Sequence, residues 1–210
     1  MSVTRDEVVL WIKAYGDVMV ENKDYLTDLD SAIGDADHGI NMCRGFKAVL
    51  TKLPTVEDKD IGTILKTVGM SLLSTVGGAA GPLYSTVFIQ AGMKLKGKME
   101  LSLSDWAVAL EAATNGVVNL GKAALNDKTM VDALTPAVQA LNDAVKQGLS
   151  MDEALKESAK AAEEGMKATI PLVAHKGRAS YLGERSAGHQ DPGATSSFLL
   201  LDTAVNVWVK

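Results

Sequence analysis

Apolar residues recur at every third or fourth position through most of this chain, and that period constrains its fold more than any other feature. Thr4 and Glu7 read as a capping box, and Val8, Leu10, Trp11, Ala14, Tyr15, Val18 and Met19 then follow along one helical face. The period returns at Met42, Phe46, Val49 and Leu50 until Pro54 breaks it, and again through "KDIGTILKTVGMSLLSTV". "GPLYSTVFIQAGMKLKG" opens a fourth helix with Pro82 in its first turn, and "SLSDWAVALEAATNGVVNLG" a fifth capped by Ser104. A sixth is expected over about 129 to 148. A seventh starts at Ser150, whose partner Glu153 completes a second capping box, with Leu155, Ala159, Ala162, Met166 and Ile170 as its buried stripe. The last spans about 193 to 209. Eight helices and no strand make the expected fold class all-α.

Composition agrees with that reading. Apolar residues make up 47% of the chain but aromatics only 5%, so its core rests on Ala, Leu, Val and Met, which suit helix-on-helix packing. A length of 210 residues suits a single domain over 1–210, and the lone Cys43 forms no internal disulfide. The net charge of −5, with Lys and Arg dispersed, argues against direct nucleic-acid binding. "MSVTRDEVVLWIK" has Asp6 and Glu7 where a signal peptide carries positive charge, and Asp202 and Asn206 interrupt "FLLLDTAVNVWVK". A cytoplasmic location with no membrane span is expected.

The non-helical length falls in four glycine- or acid-rich connections, at 28–39, 74–81, 121–129 and 175–193. If the helices alternate up and down, these connections share one end of the bundle and could meet at one mouth. The first, "LDSAIGDADHGINMCRGF", packs Asp30, Asp35, Asp37 and His38 into nine positions without a basic residue. Such carboxylates suit a hard divalent cation, Mg²⁺ or Ca²⁺; the plainer alternative is a solvated turn in which Asp37 caps the next helix. A calcium EF-hand starting at Asp35 is excluded, because Ile40 and Phe46 stand where glycine and glutamate are required.

In the second, "STVGGAAGPLYS", a run of small residues leads into a proline-started helix. This is either a tight turn or a place where phosphate can approach main-chain N–H groups. "GVVNLGKA" nearly matches a P-loop but has Ala123 in place of the metal-binding hydroxyl and follows a helix, so it is rejected. In the third, "NDKTMVDAL", Thr129 reads as a helix cap and Met130 as either core filler or a surface for a nucleobase. In the fourth, "HKGRASYLGERSAGHQDPGATS", Arg178 could clamp phosphate oxygens, whereas Arg185 reads as a solvated residue in a salt bridge.

Taken together, "DYLTDLDSAIGDADHGINM", "VGGAAGPL", "DKTMVDAL" and "KGRASYLGERSAGHQDPGA" resemble the DhaL family, the nucleotide-binding subunits of phosphotransferase-system-dependent dihydroxyacetone kinases. The resemblance implies an eight-helix antiparallel up-and-down barrel with a nucleotide site at one end. It implies that Asp30, Asp35 and Asp37 hold two Mg²⁺ ions. It places nucleotide contacts at His38, Gly39, Ile40, Asn41, Ala79, Ala80, Gly121, Met130, Arg178, Asp191, Pro192 and Gly193, with Arg178 also catalytic. Two positions depart from the family pattern: Ala80, where some relatives carry serine, and Asn126, where glycine is commoner.

ATP-dependent relatives typically read "GDGDCG" or "GDGDTG" where this chain reads "GDADHG", and its free-standing length also sets it in the phosphotransferase branch. The resemblance then implies that ADP stays bound as a cofactor. A phosphohistidine on a donor subunit phosphorylates it in place, and the phosphoryl group passes to dihydroxyacetone on a third, substrate-binding subunit. An alternative function is a nucleotide-sensing interaction module whose loaded state is read by a transcription regulator. A purely structural bundle would leave the four connections unexplained.

Overall fold

The computed structural model describes residues 2–210. Its first helix, α1 (Arg5–Glu21), starts with the expected capping box: Thr4 Oγ1 accepts from the Glu7 N–H, and the Glu7 carboxylate accepts from the Thr4 N–H at 2.8 Å. A break of one residue at Asn22 (φ −92°, ψ 9°) separates it from α2 (Lys23–Ile33). One residue in that conformation bends a rod without reversing it, and α1 and α2 pack against the same neighbours. The connection expected from residue 28 therefore starts only after Ile33. Sequence reading missed α2 because its inward face has only Leu26, Asp30 and Ile33, in a segment otherwise rich in aspartate.

Next come α3 (His38–Lys52), a 3₁₀ turn containing Pro54, α4 (Ile61–Thr75), capped by Asp60, and α5 (Ala80–Lys94). Then follow α6 (Leu103–Gly121), α7 (Val131–Gln147), α8 (Met151–Ala168) with its Ser150–Glu153 capping box, and α9 (Pro192–Trp208). The described residues thus hold nine α-helices where eight were expected, the first two forming one bent rod. The cap of α6 is Ser102, not Ser104: Ser102 pairs reciprocally with Asp105, a stronger arrangement than a lone serine one turn later. A two-residue antiparallel bridge, Val3–Thr4 with Glu100–Leu101, was also unforeseen, since so short a pair carries no periodicity.

From α3 onward each helix packs on its neighbours in sequence, and α9 returns to pack on α1, so the helices close a ring. α4 and α5 approach closely, and a Cβ on Gly62 would lie 2.6 Å from the Gly92 carbonyl oxygen. Inside the ring Trp11, Trp106 and Trp208 stack mutually at centroid distances of 5.1–5.6 Å, and Trp11 leads on to Phe88, Phe46 and Tyr15. No helix among the described residues is long and apolar enough to cross a membrane.

Candidate functional site

All four polar connections open onto one cavity of about 310 Å³, within the size range of small-ligand sites. Asp30 lines it from the end of α2, Asp35 and Asp37 from the first connection and His38 from the start of α3, with Gly77 to Ala80 from the second. Gly121, Thr129 and Met130 contribute from the third, and Arg178 with Asp191, Pro192 and Gly193 from the fourth. Three of the residues expected to contact nucleotide do not line it. Gly39 is pressed against α2, where a Cβ would fall 2.0 Å from the Lys23 carbonyl oxygen. The Ile40 side chain is half exposed, and Asn41 is buried, accepting from Arg44 Nη2 at 2.7 Å beneath Gly77.

Asp30 sits in the last turn of α2, buried, and its Oδ2 accepts from the N–H groups of Asp37 (2.8 Å) and His38 (3.1 Å). Asp30, not Asp37, therefore caps α3; Asp37 occupies the capping position but makes no side-chain capping bond. Gly34 leaves the room this needs, since a Cβ there would lie 2.0 Å from Asp30 Oδ1. Between the acids Ala36 takes φ +59°, a left-handed conformation that glycine adopts more readily. The three carboxylates bring oxygen atoms within 4.8 Å of one another. A set of carboxylate oxygens only, so closely spaced, suits a hard divalent cation. Arg178 Nε reaches Asp35 Oδ2 at 2.8 Å, so this arginine from the far connection offsets part of the cluster's charge.

His38 is buried with its Nε2 in hydrogen-bond contact with Ser196 Oγ at 2.9 Å, and Tyr84 donates to that same Oγ at 2.6 Å. Tyr15 donates to the Ser196 carbonyl oxygen at 2.9 Å. Burial pushes the His38 pKa below its ordinary value, outweighing Asp30 and Asp37, so the imidazole is neutral near pH 7 and acts as a hydrogen-bonding group.

Two helix amino termini face the cavity. α5 follows Gly78 (φ +63°) and has no side-chain cap at Ala79, which leaves its first N–H groups free for an anion. α9 starts at Pro192 and is capped by Asp191, whose Oδ2 accepts from the Ala194 N–H at 2.7 Å. Burial pushes the Asp191 carboxyl up to about 7; the Ala194 bond and Lys128 oppose this, while Asp132 and Asp30 add to it.

In the third connection the Asp132 carboxylate accepts from the N–H groups of Asn126 (2.5 Å) and Thr129 (2.7 Å). Asn126 adopts φ +71°, a left-handed conformation that asparagine tolerates better than most residues with a side chain. Thr129 Oγ1 does accept from Val131 at the start of α7, and Met130 is buried beside Gly193, serving core and cavity wall at once. Sequence reading missed Tyr84 and Lys128, both of which also line the cavity. Tyr84 had only its place one turn into α5 to recommend it. Lys128 had only its place between two singled-out residues. Arg185 forms no ion pair among the described residues, against the salt bridge expected of it.

Fold and site together define an α-helical barrel with a ligand-sized cavity at the end where its polar connections gather. The DAK2 domain family matches residues 32–206, and the chain belongs to that family. The ADP-binding subunit DhaL of the PEP-dependent dihydroxyacetone kinase of Escherichia coli K12 is 48% identical over 201 residues, which cover 96% of each chain. The corresponding ADP-binding subunit of dihydroxyacetone kinase 1 of Listeria innocua is 40% identical over 200 residues, covering 95% of each. The crystal structure of the dihydroxyacetone kinase of C. freundii has the same fold, with a TM-score of 0.74 at 24% identity over 95% of this chain and 34% of that longer one.

Proposed function

We propose that this protein is the ADP-holding subunit of a phosphotransferase-system-dependent dihydroxyacetone kinase. The observation that carries the reading is the convergence of three carboxylates and two helix amino termini on one cavity. The similarity to ADP-binding subunits of dihydroxyacetone kinases in Escherichia coli and Listeria innocua supports it.

In this reading Asp30, Asp35 and Asp37 hold two Mg²⁺ ions, and the amino termini of α5, at Ala79 and Ala80, and of α9, at Asp191 to Gly193, receive the diphosphate. Gly121 and Met130 form the wall for the nucleoside, and neutral His38 offers it a hydrogen bond. Arg178 faces the transferring group and stabilises its charge. Gly39 and Asn41 act by shape, through the α2–α3 approach and the support under Gly77, and Ile40 presents its half-exposed side chain beside them. When bound, ADP would carry a phosphoryl group from a phosphohistidine donor subunit to dihydroxyacetone on a substrate-binding subunit, with Mg²⁺ screening the charge. Phosphoryl transfer asks mainly for position and charge neutralisation, so no side chain of this protein acts as nucleophile, and no base is assigned to His38, His175 or His189.

The test is reconstitution. The parent protein should carry ADP and magnesium in native mass spectrometry, and should phosphorylate dihydroxyacetone with its two partner subunits only when phosphoenolpyruvate feeds the donor. Full-rate turnover on ATP alone would overturn the branch assignment. Asp30→Asn keeps an oxygen for the Asp37 and His38 N–H groups but loses a charged ligand, so ADP–Mg²⁺ affinity should fall about tenfold or more with the fold intact. Parent-like affinity in that variant would remove Asp30 from the metal site.

A further inference from the structure

Lys128 is 1% exposed, and its ammonium is surrounded by main-chain oxygen. It donates to the carbonyls of Thr169 (2.8 Å), Leu172 (3.1 Å), Ile170 (3.3 Å) and His189 (2.5 Å). An ammonium has three N–H donors and no acceptor, so four carbonyls at these distances form the oxygen cage that a bare monovalent cation would otherwise occupy. Three of them lie in the turn that ends α8, where carbonyl groups and the helix dipole carry negative potential. The fourth lies two residues before Asp191.

The backbone at this position is unusual as well. Lys128 takes φ +62°, a left-handed conformation that penalises any residue with a Cβ and that glycine would adopt freely. In that conformation the side chain still reaches all four carbonyls. Burial pushes the Lys128 pKa down while the Asp191 carboxylate opposes it. Weaker ties run in parallel: the Asp191 N–H donates to Thr169 Oγ1 at 3.0 Å, and the Gly188 N–H to the Ile170 carbonyl oxygen at 2.8 Å.

We propose that Lys128 acts as a built-in monovalent cation: by gathering four carbonyls from the α8 turn and the fourth connection, it fixes the 188–193 segment beside Met130 and so aims the α9 amino terminus into the cavity. It is a positioning residue: although it borders the cavity, its ammonium is turned to the four carbonyls. The phosphate-directed part of this inference rests on the ADP-site reading above; the cage does not.

The variant of choice is Lys128→Gly, because glycine accepts the backbone conformation and the ammonium and its four methylenes leave a space that a small cation can enter. Without nucleotide, amide hydrogen exchange at Gly188 and Asp191 should lose protection about tenfold or more. Methylammonium should restore that protection, whereas tetramethylammonium at equal ionic strength, too large for the cage and without N–H donors, should not. ADP titrated with Mg²⁺ should bind about tenfold more weakly and recover with methylammonium in step with the exchange. Lys128→Met, whose uncharged chain fills the space, should lose protection and resist rescue; it also serves if the glycine variant folds only with methylammonium, which would itself support the cage.

Unchanged exchange in both variants, or rescue no better with methylammonium than with tetramethylammonium, overturns the internal cation. Lost protection with unchanged ADP affinity overturns the positioning role. A parent protein that binds no ADP overturns the proposed function instead, and the exchange measurements still decide the cage.

Discussion

Asp30 and Asp191 are both buried at helix ends, and both accept main-chain N–H groups, yet their surroundings give them opposite tasks. Asp30 belongs to the carboxylate cluster. Asp191 lies deep enough for burial to raise its carboxyl from 3.8 to about 7. Between those two values the folded protein holds a proton that the unfolded chain has released, so stability falls as pH rises through that window. Asp191→Asn keeps an acceptor for Ala194 but cannot titrate, and should flatten that slope. Urea unfolding at about pH 5 and about pH 7.5 would show it, the parent losing more stability than the variant between the two. At this scale sequence reading found the acids, because residue type and spacing alone announce crowded charge. It could not see that Ala36, Asn126 and Lys128 take left-handed conformations, since only the path of each loop imposes them.

At the scale of elements, local signals succeeded where they are local in origin. The Thr4–Glu7 and Ser150–Glu153 boxes involve residues three apart, and both formed. The misplaced cap at Ser104 and the missing α2 are cases where two local patterns competed or one was diluted by aspartate. Gly39 shows the next level. Expected as a nucleotide contact, it is also the point where α3 touches the α2 backbone. Gly39→Ala would drive a methyl group against the Lys23 carbonyl and Thr27 Oγ1. The expected cost is about 1–3 kcal/mol, read as a lower urea midpoint at unchanged m-value. Because Asp30 on α2 caps α3, the same variant should also weaken divalent-cation binding; retention of both parent values would show that the two helices tolerate separation.

At the scale of the molecule, the ring closes where α9 meets α1. Trp11 Nε1 donates to the Leu200 carbonyl oxygen at 3.0 Å, and Trp208 Nε1 to that of Glu7 at 3.0 Å, with both rings in the tryptophan cluster. Trp208→Ala should cost about 3–5 kcal/mol, seen as a marked fall in Tm. The site should be spared: Trp208 ends the helix whose start lines the cavity, about 24 Å away at 1.5 Å per residue. ADP affinity well below the new Tm is therefore expected to match the parent, and a parallel loss would mean that ring closure itself tunes the cavity.

The amino-acid sequence by itself determined the all-α class, most helix positions, the four polar connections and the acidic cluster. Each of these depends on residues within about two helical turns of one another, where periodicity, caps and charge repulsion act directly. Only the tertiary structure decided which groups meet: Arg178 with Asp35, Ser196 with His38 and Tyr84, and Lys128 with a carbonyl 61 residues further on. Those pairings exist because closing the helices into a ring brings distant connections to one end, and no local spacing encodes the partner of a side chain that must first cross the barrel's rim.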